Sequence, residues 1–289
     1  MVPQRRVIDT HHHVFSPRFL AAKGERMFGQ GNHSIEAMTW DADRCLETMD
    51  KAGVTRALLS QPAPWELWDS LMDSRRHMRE VNEFAAQQAA RSPDRFGVFA
   101  SIPLPDTDGS LAEIAYAIDV LRVDGIALMT NYDGTHLGDR QFAAVLEELN
   151  RRRVLIHVHP SIAPCCKGLL PDMPDVLDYV SDTTRAIASL LFSGTLHRTR
   201  NIRWLFSHGG GVLPMLAGRF IRYAEANRER LGRFMPDGAM TEIRRLHFDT
   251  AQVARPEAFA GLRMMVPVSQ IVFGSDSPMA TIEPQLLAL

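Results

Sequence analysis

The residues best suited to chemistry stand close to the N-terminus, in the run Asp9-Thr10-His11-His12-His13 that follows the short apolar stretch Val7-Ile8. Side chains alternate along a strand, so His11 and His13 share one face and His12 takes the other. Two imidazoles projecting together from a strand end are half of a metal site. The run is set in an apolar strand and followed by Phe15-Ser16-Pro17, which separates it from an expression tag. Three further segments carry matching chemistry. Leu155-Ile156-His157-Val158-His159-Pro160 offers two histidines on one strand face, and His159 is favoured because Pro160 ends the strand beside it. His157 then lies one layer deeper, as a hydrogen-bonded core histidine. His208 precedes Gly209-Gly210-Gly211, where it can ligate a metal or move protons to and from metal-bound water. Asp276, in Phe273-Gly274-Ser275-Asp276-Ser277-Pro278, is read as a metal ligand or proton carrier, with a turn-capping aspartate as the plain alternative. His11, His13, His159 and Asp276 together make a set that leaves a divalent ion one open position. The fourth strand ends in Met129-Thr130-Asn131-Tyr132, without the lysine that bridges two metals in some barrel hydrolases, so a single metal is expected.

The elements that must position these groups recur as strand then helix. Strands are expected at 7–10, 56–59, 96–102, 125–130, 154–159, 202–207, 246–249 and 271–274. Helical patterns fall at 41–52, 73–91, 111–122, 140–152, 183–198 and 213–229; Leu111, Ile114, Ala115, Ile118 and Leu121 share one face of the third. Eight strands alternating with helices imply a closed (β/α)8 TIM barrel in a single domain over residues 1–289. His11, His13, His159, His208, Asp249 and Asp276 all fall at C-terminal strand ends, which share one face of such a barrel. Two segments show no helical pattern and are expected to cover the barrel mouth: an irregular lid at Phe15–Trp40, with Phe28 and His33, and Pro160–Pro174, with Cys165 and Cys166. Phe15, Phe28 and Trp65 are candidates for aromatic walls of a pocket.

The composition sets the class. The chain has 289 residues, 45% hydrophobic and 23% charged, with a formal net charge of -2. That is globular, with no basic footprint for nucleic acid. No apolar run is long enough to span a bilayer and no signal peptide precedes the first strand, so a cytoplasmic protein is expected. Three cysteines, Cys45, Cys165 and Cys166, contain no CxxC pair and are expected as reduced thiols.

Taken together, Asp9-x-His11-x-His13, His159-Pro160, Ser207-His208-Gly209-Gly210 and Gly274-Ser275-Asp276-x-Pro278 resemble the amidohydrolase-related decarboxylases. Phe96–Pro105, the Pro164-Cys165-Cys166 loop and Asp182–Ala188 are similar to the branch that decarboxylates 6-methylsalicylate. The resemblance implies a metal-dependent decarboxylase of a small ortho-hydroxy aromatic acid, with one divalent ion (zinc first, manganese second) and no organic cofactor. It implies His11, His13, His159 and Asp276 as metal ligands. His208 would contact metal-bound water or substrate, and Asp276 would donate the proton with His208 assisting. Arg219, eleven residues beyond His208, matches an arginine that relatives insert into a neighbouring subunit to hold the substrate carboxylate, which implies a homodimer or larger assembly. From the residues alone, Arg219 reads as an ordinary surface charge on a helix. A hydrolase of an ester, lactone, amide or carbon–carbon bond, using the same metal to activate water, is the alternative activity. Relatives continue past Gly-Ser-Asp into further helices, whereas this chain ends thirteen residues beyond Asp276, so an incomplete eighth helix is expected.

Overall fold

A computed structural model describes residues 6–28, 34–166 and 175–289. Eight parallel strands follow one another around the sheet in chain order. They are β1 (Val7–His13), β2 (Val54–Ser60), β3 (Phe96–Ser101), β4 (Gly125–Met129), β5 (Leu155–His159), β6 (Arg203–Phe206), β7 (His247–Asp249) and β8 (Ile271–Val272). The barrel closes through a seam rather than a long eighth strand: β8 pairs with β7 over two residues. On its other side the chain meets β1 through Thr10 N–H to Phe273 O (2.9 Å), Asp276 N–H to His11 O (2.8 Å) and His13 N–H to Ser277 O (2.7 Å).

The interior is layered by the two-residue period of its strands. Leu58, Phe99, Ala127 and Leu205, with Leu155 and Val272 packed on them, form an apolar plug at the lower end. Above it Leu155, His157 and His159 climb β5 on one face, and the buried His157 ring stacks on Phe99 at 5.4 Å. A second, larger core lies between the barrel and its helices, where Ile156, Val158, Phe206 and Phe248 meet Leu146, Ile187 and Leu190. Each such side chain contributes about 1.5–3 kcal/mol of burial. The polar layer above the plug is therefore carried on a rigid apolar base.

Several boundaries differ from those expected. β1 runs on through His13, so the histidines belong to the strand itself, and β8 stops at Val272 because Gly274 turns the chain. The expected helix 111–122 starts earlier, at Thr107–Tyr116, and ends in a widened turn, Ala117–Leu121. The expected helix 183–198 is split after Phe192, where Gly194 takes a left-handed φ of 79° before Thr195–Arg198 resumes. A ten-residue helix absent from the sequence reading, Pro256–Met265, lies between β7 and β8.

The lid expected to be irregular instead contains the helices Pro17–Phe28 and Ile35–Met38. Its helical period was concealed by a buried lysine. Lys23 shares the buried face with Phe19, Leu20 and Phe28, and its ammonium reaches Asp69 and Asp73 at 2.7 Å each. Burial works to raise the Asp73 carboxyl, but Lys23, the Asp69 backbone N–H and His77 outweigh it and bring it down to about 2. That contribution to stability is complete above the ordinary aspartate range and is lost as pH falls toward 2. Asp73→Asn is expected to cost roughly 1–3 kcal/mol at pH 7. Thermal melts of the two proteins should converge between pH 4 and pH 2. A constant gap across that range would show that the pair is not the source. His33 lies outside the described residues, as do residues 167–174 of the expected second cover.

At the other end, the helix Ile282–Leu287 packs against the helix Ala42–Ala52, with Ile282 buried in the core there and Leu286 against it. Among the described residues no helix is long and apolar enough to cross a membrane. All three cysteines are free thiols.

Candidate metal centre and active site

β1 delivers two imidazoles to the barrel mouth and turns the third outward, as alternation requires. His12 is held outside by Asp9 (3.0 Å) and by the Cys45 thiol (3.3 Å). His11 and His13 point inward and bring their Nε2 atoms within 3.2 Å of each other. β5 contributes His159, and the turn after β8 contributes Asp276. The ligand atoms of His11, His13, His159 and Asp276 all lie within 4.8 Å of one another, and all four residues are buried. The sequence reading and the folded structure thus agree on which four side chains converge.

Tautomers follow from what stands behind each ring. His11 Nδ1 faces Asp249 Oδ2 at 2.8 Å, His13 Nδ1 faces the Ser60 carbonyl at 3.3 Å, and His159 Nδ1 faces the Pro160 carbonyl at 2.9 Å. An oxygen that only accepts requires the hydrogen on Nδ1, which leaves each Nε2 a bare lone pair aimed at the centre. Asp276 Oδ1 sits among them, 2.8 Å from His13 Nε2 and 3.2 Å from His11 Nε2. Acceptors so close repel unless positive charge lies between them.

The titration behaviour agrees for His13 and His159 and differs for His11. Burial opposes charge on His11, but Asp249 and Asp276 outweigh it and raise the group to about 10. Burial pushes His13 below the ordinary histidine range; burial, with His13 and His11 as neighbours, pushes His159 well below it. Burial alone would raise Asp276, yet His11, His13 and His208 hold it ionised, well below the usual carboxylate range. His13 and His159 are thus neutral beside an ionised carboxylate, as a divalent ion needs, and an ion binding here would displace the proton that the two aspartates hold on His11. Three nitrogen donors and one oxygen fit zinc, manganese or a related divalent ion, with one position open.

His157 lies one layer down, fully buried, with Nε2 at 3.1 Å from Ser207 Oγ and 3.4 Å from Asp249 Oδ2. It is the bonded core histidine that its position on β5 suggests. Together with His11 and Asp249 it forms a second cluster with metal-binding potential, but that cluster shares His11 with the first.

His208 follows β6 on a left-handed backbone, φ 53°, in the turn expected from the glycines behind it. A Cβ on Gly211 would stand 1.9 Å from the Val180 carbonyl, so no larger residue fits that turn. The turn places His208 Nε2 3.4 Å from Asp276 Oδ2, and leaves its buried Nδ1 without a hydrogen-bond partner. Gly274 performs the matching service at the seam, where a Cβ would come within 2.8 Å of both His11 Cβ and Asp249 Cβ.

Three residues of this site had no role assigned from sequence. Asp249 is among the strand-end residues that the sequence places at the barrel mouth, but without a function. It accepts from His11 Nδ1, from the His208 backbone N–H (2.8 Å) and from the Ala251 N–H (3.0 Å). Asp9 accepts from the Ser275 N–H (2.9 Å) and hydroxyl (2.5 Å), and so anchors the turn that carries Asp276. Gln252 donates from Nε2 to Asp276 Oδ2; no motif in the chain marks it.

Beside His159 a narrow cleft opens between the ends of β2, β3 and β4, lined by Ser60, Gln61, Ser101, Ile102, Met129 and Tyr132. Gln61 is buried and its Oε1 has no hydrogen-bond partner. Of the proposed aromatic walls, Phe15 lies 6.1 Å from the His13 ring, Phe28 packs behind Phe15, and Trp65 packs against the core. Arg219 stands apart from this site. It is exposed on the helix Leu213–Ala226, with no hydrogen bond or ion pair to the described residues.

With this geometry in view, the amidohydrolase family model matches residues 8–286. A decarboxylase of Penicillium terrestre, macB, is 31% identical, covering 96% of this chain and 85% of its own. The 6-methylsalicylic acid decarboxylase acuB of Aspergillus aculeatus is 32% identical, over 94% of this chain and 84% of its own. Among solved structures, a 5-carboxyvanillate decarboxylase of Novosphingobium aromaticivorans superposes with a TM-score of 0.85 at 17% identity, over all of this chain and 92% of its own. It holds manganese and 3-methoxy-4-hydroxy-5-nitrobenzoic acid.

Proposed function

This chain belongs to the amidohydrolase family, as a carboxy-lyase within it, and on that footing we propose that it decarboxylates a small ortho-hydroxy aromatic acid resembling 6-methylsalicylate. The observation that carries the reading is the mouth cluster: three imidazoles with outward Nδ1–H, one ionised carboxylate, and His208 on that carboxylate's far oxygen. Geometry of this kind serves a metal-dependent hydrolase equally well. The curated relatives, decarboxylases at 31% and 32% identity, favour loss of carbon dioxide.

His11, His13, His159 and Asp276 would hold one divalent ion, zinc by donor set or manganese by analogy with the structural neighbour. When bound, that ion supplies a Lewis acid for the substrate's carboxylate and adjacent hydroxyl oxygens. The protein's own part is proton management. The reaction adds a proton to the carboxyl-bearing ring carbon and releases carbon dioxide. Asp276 is ionised at rest, so it passes a proton on rather than storing one. Its Oδ2 is the oxygen turned away from the histidine pair and toward His208, which feeds it across 3.4 Å. Gln61, with an unsatisfied buried acceptor in the cleft, suits a hydroxyl group on the substrate.

Arg219 belongs in this reading as a carboxylate-holding residue offered to a second copy. Its helix buries only Leu213 while Met215 and Tyr223 are exposed, the pattern of a face that another surface covers. The protein would then work as a homodimer or larger assembly in the cytoplasm.

The test is carbon dioxide release from 6-methylsalicylate and other hydroxybenzoates by protein of measured metal content, before and after chelation. Release that needs about one ion per chain and an ortho hydroxyl is the expected result. Fully metallated protein that leaves every hydroxybenzoate intact yet hydrolyses esters or lactones would overturn the reading.

A further inference from the structure

Six described residues other than glycine have left-handed backbones: Arg122, Asp133, Arg153, His208, Gln252 and Asp276. The first three have ordinary explanations. Arg122 and Arg153 follow helices, and Asp133 sits in the tight turn between Asn131–Tyr132 and Thr135–His136. The other three, at φ 53°, 56° and 62°, come from the loops after β6, β7 and β8 and meet at one carboxylate. Asp276 Oδ2 takes contacts from His208 Nε2 and from Gln252 Nε2, while Oδ1 faces His11 and His13. Unfavourable backbone collected at one atom needs a cause in the site.

Gln252 is the least explained of the three. Its residue is exposed, so neither packing nor burial demands its conformation. Asparagine and glycine enter the left-handed region more readily, but neither side chain has the reach of glutamine. The backbone is pinned from elsewhere: the Gln252 N–H donates to Gln285 Oε1 at 2.7 Å, and Gln285 Nε2 donates to the Ser275 carbonyl at 2.6 Å. Two glutamines thus bridge the loop after β7, the turn after β8 and the helix Ile282–Leu287.

We infer that Gln252 is a positioning residue, which occupies Asp276 Oδ2 so that the carboxylate meets the metal through Oδ1 alone. Without that donor, Oδ2 is free to swing toward the ion and become a second ligand, closing the position that substrate needs. The inference rests on the metal-centre reading above, and its first readout requires no substrate.

Gln252→Gly and Gln252→Asn both abolish the reach while easing the backbone. Each purified variant is loaded with zinc or manganese and titrated against a chelator, alongside thermal melts and steady-state turnover. The expected result has two parts. The affinity for metal rises by about tenfold or more as Oδ2 joins the donor set, and KM at saturating metal rises by a similar factor. The melting temperature meanwhile stays level or rises, because the left-handed strain is relieved. A residue that only supports the fold would lose stability along with activity. Metal affinity within twofold of the parent in both variants overturns the inference, as does a lowered melting temperature in both. Parent protein that binds no metal would instead refute the metal-centre reading, so the two failures are distinguishable.

Discussion

Replacing Asp276 with alanine is expected to lower carbon dioxide release by about a thousandfold or more. The size of the effect comes from two functions on one side chain. In the proposed mechanism Oδ1, beside His11 and His13, would complete the donor set, and Oδ2, beside His208, would receive the proton. Alanine removes both. Asp276→Asn separates them: its amide oxygen can still face the ion, but the group no longer accepts and releases a proton in turn. The asparagine protein should therefore retain more metal than the alanine protein while turning over no faster. Metal content by elemental analysis and single-turnover rates would check this. An alanine variant within tenfold of the parent would remove Asp276 from the chemistry.

The second large effect is expected at Asp249, which is outside the four-residue donor set and acts on it through His11 and His208. Alanine there strips the acceptor from His11 Nδ1 and from the backbone N–H groups of His208 and Ala251, all inside a fully buried site. Breaking a buried ion pair costs roughly 3–5 kcal/mol, and loss of an outer partner typically weakens a metal site about 10- to 100-fold. Urea denaturation with and without added metal would separate the two. The variant should be less stable in both conditions and need more metal to recover. An alanine protein with parental metal affinity would show that His11 is oriented by other means.

The strand periodicity explains why so much of the site could be read in advance. Imidazoles two residues apart on β1 must share a face, and a parallel barrel brings strand ends together whatever their separation in sequence. That logic placed His11, His13, His159 and Asp276 correctly as neighbours, and it placed His157 one layer down. Asp249 is legible as a strand-end carboxylate, but its role is not, because that role is a hydrogen bond to a residue 238 positions away, which no local pattern records. Gln252 escaped because its backbone conformation, rather than its type, aims it. The helix Pro17–Phe28 was missed for a different reason: a buried Lys23 breaks the apolar stripe that signals a helix, and its compensating carboxylates lie in another segment. Arg219 has no hydrogen bond or ion pair among the described residues, so its part rests on the proposed assembly.

The seam between β1 and β8 gives the turn that carries Asp276 a second duty. Asp276 N–H bonds the His11 carbonyl, and Ser277 accepts from His13, so the peptide units that present the ligands are also the stitches that close the cylinder. Loading the site and shutting the fold are then one equilibrium seen from two ends, because whatever binds only the closed form stabilises it by mass action. Amide exchange at Thr10, His13 and Asp276 would slow together on metallation, with the strands opposite the seam little changed. In this protein the ion would act as the latch of the barrel as well as its reagent.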